Sequence, residues 1–439
     1  MFKNLDKKML IFSILITTMP FLILFKDFDF SLFSNNSELF WSKLALYTAN
    51  ILGFIGASLL VWEFILGIRS LVKLFTADLI WVNKIHGIIG KYGILLVFIH
   101  PLLEMYVYAE QWLWLFVPNI STVVEKQYTF GRLAFILLLI IYLTSALVRG
   151  NIKYRPWLYI HYLAYPAMFF TFLHALTIGT FINQYVFLKA LWFTMMALYF
   201  ILMVFRLTSF SSVFKTKYRL IKKYLQTDDL LIIVLKPLKK LQNPKPGQYY
   251  YLQLGNFKES HPFSLLEFNQ VSGELTFGIK VLGKFTKALN NLEINQDLFV
   301  DGPYGVFTKE GQNTQPKVII AGGIGMTPFL ELVKNHTTEQ TFFLNSNRFF
   351  NEIIARPVLE SLVGVNYYDF LSKEQNTNRP KVVNSRLKPE YLPQILGQNN
   401  LNQYRYFICG SPRFTLGVEE MLISLNIPIT QIFSEKFSF

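Results

Sequence analysis

Six stretches of this chain are apolar for long enough to cross a bilayer, and polar residues return between them. They run roughly over Met9–Phe25, Leu44–Leu66, Ile85–Tyr108, Phe130–Val148, Trp157–Gly179 and Val186–Phe205. Each is near the ~20 residues that a helix needs to span a hydrocarbon core about 30 Å thick. After Phe205 the pattern changes. Short segments at Leu230–Leu235, Gln248–Leu254, Leu275–Ile279 and Asp297–Val300 are separated by turns such as Asn243–Gly247. Their period-two alternation predicts antiparallel strands of a small β-barrel. From Lys317 strands alternate with helical stretches: Val318–Ala321 before Thr327–Asn335, then Thr341–Leu344, then Tyr404–Cys409 before Arg413–Leu425. That order predicts an α/β nucleotide-binding domain. The expected fold is therefore a six-span α-helical membrane bundle (1–208), a cytosolic β-barrel domain (209–312) and an α/β domain (313–439).

Four of the chain's 6 histidines fall in these apolar stretches: His86 and His100 on the third, His161 and His174 on the fifth. An ionisable side chain inside a span is costly and marks function by default. Neutral imidazole is also a common axial ligand of haem iron. His86 and His100 are 14 residues apart, which is about 21 Å of rise and within about 40° of one helix face. His161 and His174 are 13 apart, on nearly opposite faces of an ideal helix. Pro166 lies between them, and a proline kink is expected to bring them back into phase. The alternative is four unrelated core or interface histidines.

Charge orients the spans. Lys3, Lys7 and Lys8, then Arg69, Lys73 and Lys84, then Arg149, Lys153 and Arg155, then Arg206 to Lys223 mark alternate connections. The opposite connections carry Asp27, Asp29, Glu38, Glu110 and Glu125. The positive-inside rule puts both termini in the cytoplasm. His86 and His161 then share the inner level, and His100 and His174 the outer one. Arg132 and Lys91 could each neutralise a haem propionate or snorkel to an interface. The depth of Lys91 favours a polar interior role. The net charge of +14 is explained by topology rather than by nucleic acid. At 52% hydrophobic and 16% charged residues, the chain is too apolar for a wholly soluble protein. Its single cysteine, Cys409, excludes an intrachain disulfide framework or a cysteine-ligated iron–sulfur cluster. The first apolar run lacks a small-residue cleavage site and reads as a retained span.

The barrel region contains His261-Pro262-Phe263-Ser264, preceded by Pro246–Tyr250 and followed by Gly283–Thr286 and Asp301–Gly305. The α/β region opens with Ile320-Ala-Gly322-Gly323-Ile-Gly325-Met-Thr327-Pro328. Cys409-Gly410-Ser-Pro-Arg413 and a terminal Phe433–Phe439 follow. Amides of a glycine-rich turn that opens a helix form an anion site. An apolar strand before the turn and Met-Thr-Pro after it make this one a specific signal.

These motifs resemble the FAD and NAD(P)H domains of the ferredoxin–NADP reductase superfamily. Joined to a six-span, four-histidine domain, they are similar to the NADPH oxidase and ferric reductase family in a bacterial form. The resemblance implies that His261 and Pro262 lie by the FAD pyrophosphate, Phe263 packs on the flavin, and Ser264 bonds near flavin N5. Thr286 would hold FAD phosphate, while Gly322, Gly323, Gly325 and Thr327 would hold the dinucleotide pyrophosphate. Ser346 and Arg348 would read the adenosine ribose and its 2′-phosphate, an arginine there favouring NADPH. A solvated surface arginine is the plain alternative. Cys409 and Gly410 would line the nicotinamide pocket, and Phe439 would cover the isoalloxazine. Otherwise Cys409 is a small buried hydrophobe and Phe439 a frayed end.

The implied activity is electron transfer from NADPH through FAD and two b-type haems (His86 with His161, His100 with His174) to an extracytoplasmic acceptor. Oxygen, giving superoxide, is the first acceptor, and a ferric chelate or a partner protein the alternatives. The expected setting is a bacterial inner membrane, with no nucleic acid and no obligatory regulatory subunit, since no EF-hand loop or proline-rich docking tail is present. One departure matters. The family's animal oxidases carry an arginine on the second span and a histidine one turn beyond the outer ligand. This second span has no arginine inside it, and Glu104 follows His100. A histidine-lined metal transporter with a nucleotide domain is the rival from another class.

Overall fold

The structure is a computed structural model. It describes all residues except 1–6, 109–110, 213–214, 240–242, 375–378, 399 and 438–439. The chain forms two compact units, up to Leu207 and from Thr208 onward.

The first unit is helical. Its principal helices are α1 (Lys7–Thr18), α2 (Ser37–Leu66), α3 (Leu79–Tyr108), α4 (Val123–Leu147), α5 (Tyr154–His161), α6 (Ala164–Ile178) and α7 (Val186–Phe210). Four helices, α2, α3, α4 and α7, are long and apolar enough to cross a membrane. The other two expected spans are interrupted. After α1 the chain tightens into a 3₁₀ segment, Met19–Asp27, with Pro20 in its first turn. α5 and α6 are separated at Tyr162 and Leu163. That break lies one turn ahead of Pro166, whose missing N–H would have bonded the Tyr162 carbonyl. Proline is tolerated in the first turn of a new helix, so α6 restarts there. α2 packs along α3, and α4 along α6. One apolar core runs from Phe21 and Leu24 through Phe54 and Val61 of α2 and Phe172 of α6 to Trp192 and Tyr199 of α7. α3 carries a π turn at Ile89–Gly93, between its two histidines.

The second unit opens with seven antiparallel strands: β1 (Thr216–Thr227), β2 (Leu230–Pro237), β3 (Tyr249–Gln253), β4 (Ser260–Ser264), β5 (Glu267–Phe268), β6 (Leu275–Lys280) and β7 (Asp297–Tyr304). Their order is β4-β3-β7-β1-β2-β6-β5. β1 was not expected, because Lys217, Arg219, Lys222 and Lys223 disguise it as a juxtamembrane basic run. In the fold Tyr218 and Leu220 turn inward while Lys217 and Arg219 turn out. A short helix, α8 (Lys284–Asn290), precedes β7.

Six parallel strands follow: β8 (Lys317–Gly322), β9 (Thr341–Asn347), β10 (Tyr367–Leu371), β11 (Val382–Val383), β12 (Arg405–Gly410) and β13 (Ile432–Lys436). Their order is β11-β10-β9-β8-β12-β13. The helix expected over Thr327–Asn335 begins as a 3₁₀ turn, Gly323–Phe329, and becomes α9 only at Leu330–His336. Pro328 cannot donate the hydrogen bond that an α-helical start would use further in. Lys317, 1% exposed, donates to the carbonyls of Gly311, Asn313 and His336 at 2.9, 2.5 and 2.9 Å. It thereby ties the segment before β8 to the end of α9.

Candidate functional site

The four histidines meet in two pairs. The ring centroids of His86 and His161 are 6.1 Å apart, and those of His100 and His174 6.4 Å. Two imidazoles on opposite sides of one metal, with bonds of about 2.0 Å, place their centroids about 6 Å apart. Each Nδ1 faces a protein oxygen. That of His100 lies 2.8 Å from the Ala49 carbonyl oxygen, and that of His174 lies 2.6 Å from the Thr171 carbonyl oxygen. A carbonyl oxygen only accepts, so both Nδ1 atoms carry the proton and both Nε2 atoms keep a lone pair for a ligand. His86 Nδ1 faces Glu63 Oε2 at 2.8 Å, an ion-pair contact whose alignment falls short of a hydrogen bond. His161 Nδ1 faces Ser145 Oγ at 3.4 Å. Trp157 donates to the same hydroxyl at 3.0 Å and stacks on the His161 ring at 5.0 Å.

A cavity of about 320 Å³ opens at the second pair, lined by His100, His174, Glu104, Trp114, Tyr128 and Arg132 among others. Glycines clear its walls. A Cβ at Gly53 would stand 3.2 Å from His100 Nδ1, and one at Gly131 3.4 Å from His174 Cδ2. Arg132 is 4% exposed. It donates to the Val117 carbonyl at 2.9 Å, approaches Glu125 at 3.5 Å and lies over the Trp114 ring at 4.3 Å. Its buried Nε has no partner among the described residues. Such an orphan donor beside a cavity fits an anionic group on a ligand. Of its two expected roles, the geometry supports the interior one for Arg132. Lys91 is exposed on α3, over the Tyr92 ring at 5.4 Å. Among the described residues no three metal-ligating side chains gather at one point. Two axial nitrogens per level fit haem, whose macrocycle supplies the other four ligands.

In the antiparallel sheet the period of two divides the His-Pro-Phe-Ser motif between faces. His261 and Phe263 share one face with Phe285, whose ring centroid lies 4.2 and 5.9 Å from theirs. Phe263 packs against the sheet's apolar core. Ser264 and Pro262 lie on the other face, paired in register with Tyr249 and Tyr251. The Thr286 hydroxyl accepts from the Leu282 and Gly283 amides, both at 3.0 Å, and donates to the Gly283 carbonyl at 3.1 Å. It shapes the turn into α8, with its hydrogen-bonding capacity spent there.

In the parallel sheet the strand order reverses between β8 and β12, and a ligand crevice belongs at their carboxyl ends. Gly322 and Gly410 end these two strands. The three glycines of the turn play different parts. Gly323, at φ +56°, has nothing within 4 Å of a Cβ position. A Cβ at Gly325 would stand 2.2 Å from the Cys409 carbonyl oxygen. One at Gly322 or Gly410 would meet the Phe414 ring at 2.6 or 2.7 Å. Close approach by protein atoms, rather than by a ligand, is what Gly322 and Gly325 permit. The Thr327 hydroxyl is likewise committed, donating to the Ile324 carbonyl at 3.0 Å. Cys409 is 0% exposed within the apolar core, and burial, with the Glu435 charge second, pushes its thiol up. Ser346 Oγ is buried with no partner among the described residues. Arg348 is half-exposed and already paired: it meets Glu352 and approaches Asp229 at 3.8 Å. Phe439 lies outside the described residues, as do Lys3 and Glu110.

Several of these residues were missed in the sequence: Glu63, Gly53, Gly131, Trp157, Phe285, Phe414 and Glu352. A carboxylate within an apolar span and glycines inside helices were available signals for the first three. Nothing local marks the others.

Residues 52–172 match the family of ferric reductase like transmembrane components, and residues 215–327 match an FAD-binding domain family. The chain is similar to the reductase component of propane 2-monooxygenase from Rhodococcus jostii, at 26% identity over 48% of this chain and 60% of that one. It is also similar to NADPH oxidase 4 of Rattus norvegicus, at 27% identity over 43% of this chain and 37% of that one. Each alignment covers less than two thirds of the relative's length. Among solved structures, the FAD/NAD-binding domain of a Vibrio cholerae nitric oxide dioxygenase aligns with 51% of this chain and 98% of that one, at 19% identity and TM-score 0.44. One polypeptide thus joins a segment that matches ferric reductase like transmembrane components to a segment that matches FAD-binding domains.

Proposed function

We propose that this protein carries electrons from NAD(P)H, through FAD and two b-type haems, to an acceptor at the far side of a bacterial inner membrane. The observation that carries the reading is the pairing of four histidines in two levels, at centroid separations of 6.1 and 6.4 Å, with their Nδ1 atoms turned to protein partners. Haem iron supplies one-electron redox chemistry, and FAD couples it to a two-electron dinucleotide. His86 with His161, and His100 with His174, would hold one haem each. Ala49, Thr171, Ser145 and Glu63 fix the ring orientations, and Arg132 offers its orphan Nε to a propionate.

In the same reading the membrane unit has six crossings, with the interrupted helices α1 and α5–α6 completing the four continuous ones, and both termini are cytoplasmic. The antiparallel sheet closes as a barrel around the FAD edge, within domain limits of 1–208, 209–312 and 313–439. Ser264, on the face that carries Tyr249 and Tyr251, approaches the flavin, with His261 near the pyrophosphate. The nicotinamide enters the crevice between Gly323 and Gly410. No regulatory subunit is required.

Oxygen is the first acceptor, giving superoxide. The placement of Glu104 on the cavity wall, with the Asn50 amide 3.4 Å away, favours a ferric chelate as the second. The test is dinucleotide oxidation by purified, haem-loaded protein with oxygen, with ferric chelate under anaerobic conditions, and with neither. Oxidation that is equal in all three, or absent from all three, refutes the reading.

A further inference from the structure

The carboxyl end of β9 is where the adenosine half of a dinucleotide would be read, since β9 lies next to β8 on the side away from the crevice. Its residue Ser346 pairs in register with Gly322, and Arg348 follows directly. In doubly wound sheets an acidic side chain at this place bonds the ribose 2′-hydroxyl, while an arginine accommodates a 2′-phosphate. Both residue types are present here, so their mutual geometry decides between them.

Glu352 holds Arg348 with both oxygens. Oε2 accepts from the Arg348 backbone amide at 3.1 Å, and Oε1 accepts from Nε at 2.9 Å and also from Nη2. Asp229, from the turn between β1 and β2, adds a contact at 3.8 Å on Nη2. Lys373, whose amide bonds the Arg348 carbonyl at 3.1 Å, is exposed, but three other cations are engaged. Lys280 pairs with Asp229 at 3.2 Å, and Arg356 with the buried Asp369 at 2.8 Å and also with Glu360. Arg379 lies over the Phe350 ring at 3.7 Å. A 2′-phosphate would have to bind an arginine whose charge Glu352 already balances, at its remaining Nη1 edge, and would sit beside that carboxylate. A 2′-hydroxyl does not need the arginine. It can donate to an acidic acceptor, and Ser346 Oγ, buried and without a partner among the described residues, supplies a second polar group.

We propose that Glu352 is the specificity-determining residue of the dinucleotide site, and that by sequestering Arg348 it makes NADH the preferred donor over NADPH. This rests on the proposed function, in which a dinucleotide reduces the flavin, and it replaces the NADPH preference that Arg348 alone implied.

The experiment is anaerobic bleaching of the flavin in the full-length, FAD- and haem-loaded protein, by NADH and by NADPH, with kcat/KM for each. The parent protein should favour NADH by about tenfold or more, roughly the selectivity that one charge-assisted contact provides. Glu352→Gln should shift the ratio toward NADPH by about tenfold, mostly through KM. Arg348→Ala should leave the ratio of the parent protein unchanged but cancel the shift when combined with Glu352→Gln. FAD content and haem spectra confirm that each variant is folded. A parent protein that prefers NADPH, or an Arg348→Ala variant that selectively loses NADPH, overturns the proposal. Flavin that neither dinucleotide bleaches refutes the proposed function itself.

Discussion

Replacing Gly325 with alanine tests the reading of the glycine turn most directly. The added methyl would stand 2.2 Å from the Cys409 carbonyl oxygen, 2.6 Å from its carbon and 2.8 Å from the Gly410 Cα. A carbon–oxygen contact settles at about 3.3 Å or more, so the turn and β12 must separate by roughly 1 Å. All three obstacles are backbone atoms of a buried strand bonded to β8 and β13, and no side chain can swing aside. Overpacking of this kind costs about 1–3 kcal/mol where side chains yield, and the upper end, about 3 kcal/mol, is expected here. For a unit of this size that lowers Tm by about 6–12 °C, read as release of flavin fluorescence on heating. Gly323→Ala is the contrast. It meets no atom within 4 Å and bears only the left-handed φ of +56°, worth about 1–2 kcal/mol. Gly325→Ala should therefore melt well below Gly323→Ala, and it should reduce flavin poorly because its crevice is wedged open. A Gly325→Ala protein as stable as the parent, or more stable than Gly323→Ala, would refute the argument.

His100→Ala and His174→Ala should each lose one of two bis-histidine haems while flavin bleaching by NADH survives; two intact haem signals in both variants would defeat the pairing. Lys317→Met leaves one buried carbonyl, that of Gly311, and two half-buried ones without their donor, at about 1–3 kcal/mol for the buried one alone, and should lower the melting of the second unit by several degrees, so an unchanged melt would contradict the tie. Cys409, buried and with its thiol held up, should resist alkylation at mildly alkaline pH until the protein unfolds; rapid labelling of the native protein would show that it faces the crevice instead.

The amino-acid sequence by itself determined the partition of this chain: apolar helices, then alternating strands, then strand–helix units. It also marked the four histidines, the His-Pro-Phe-Ser strand and the glycine turn. These are local properties, because hydrophobic periodicity and backbone permissiveness are written into neighbouring residues. What stayed illegible depended on contacts across the fold. The break before Pro166 was foreseen as a kink, but its place at Tyr162 and Leu163 follows from which carbonyl the proline abandons. β1 was hidden because its outward lysines outweigh its inward Tyr218 and Leu220 when read in a line. Only the tertiary structure could set Glu63 against His86, Phe414 against Gly322 and Glu352 against Arg348. An arginine's chemistry is legible from its type, but whether its charge is available to a ligand depends on which carboxylate packing brings within reach. Here Glu352 Oε1 lies 2.9 Å from the Arg348 Nε.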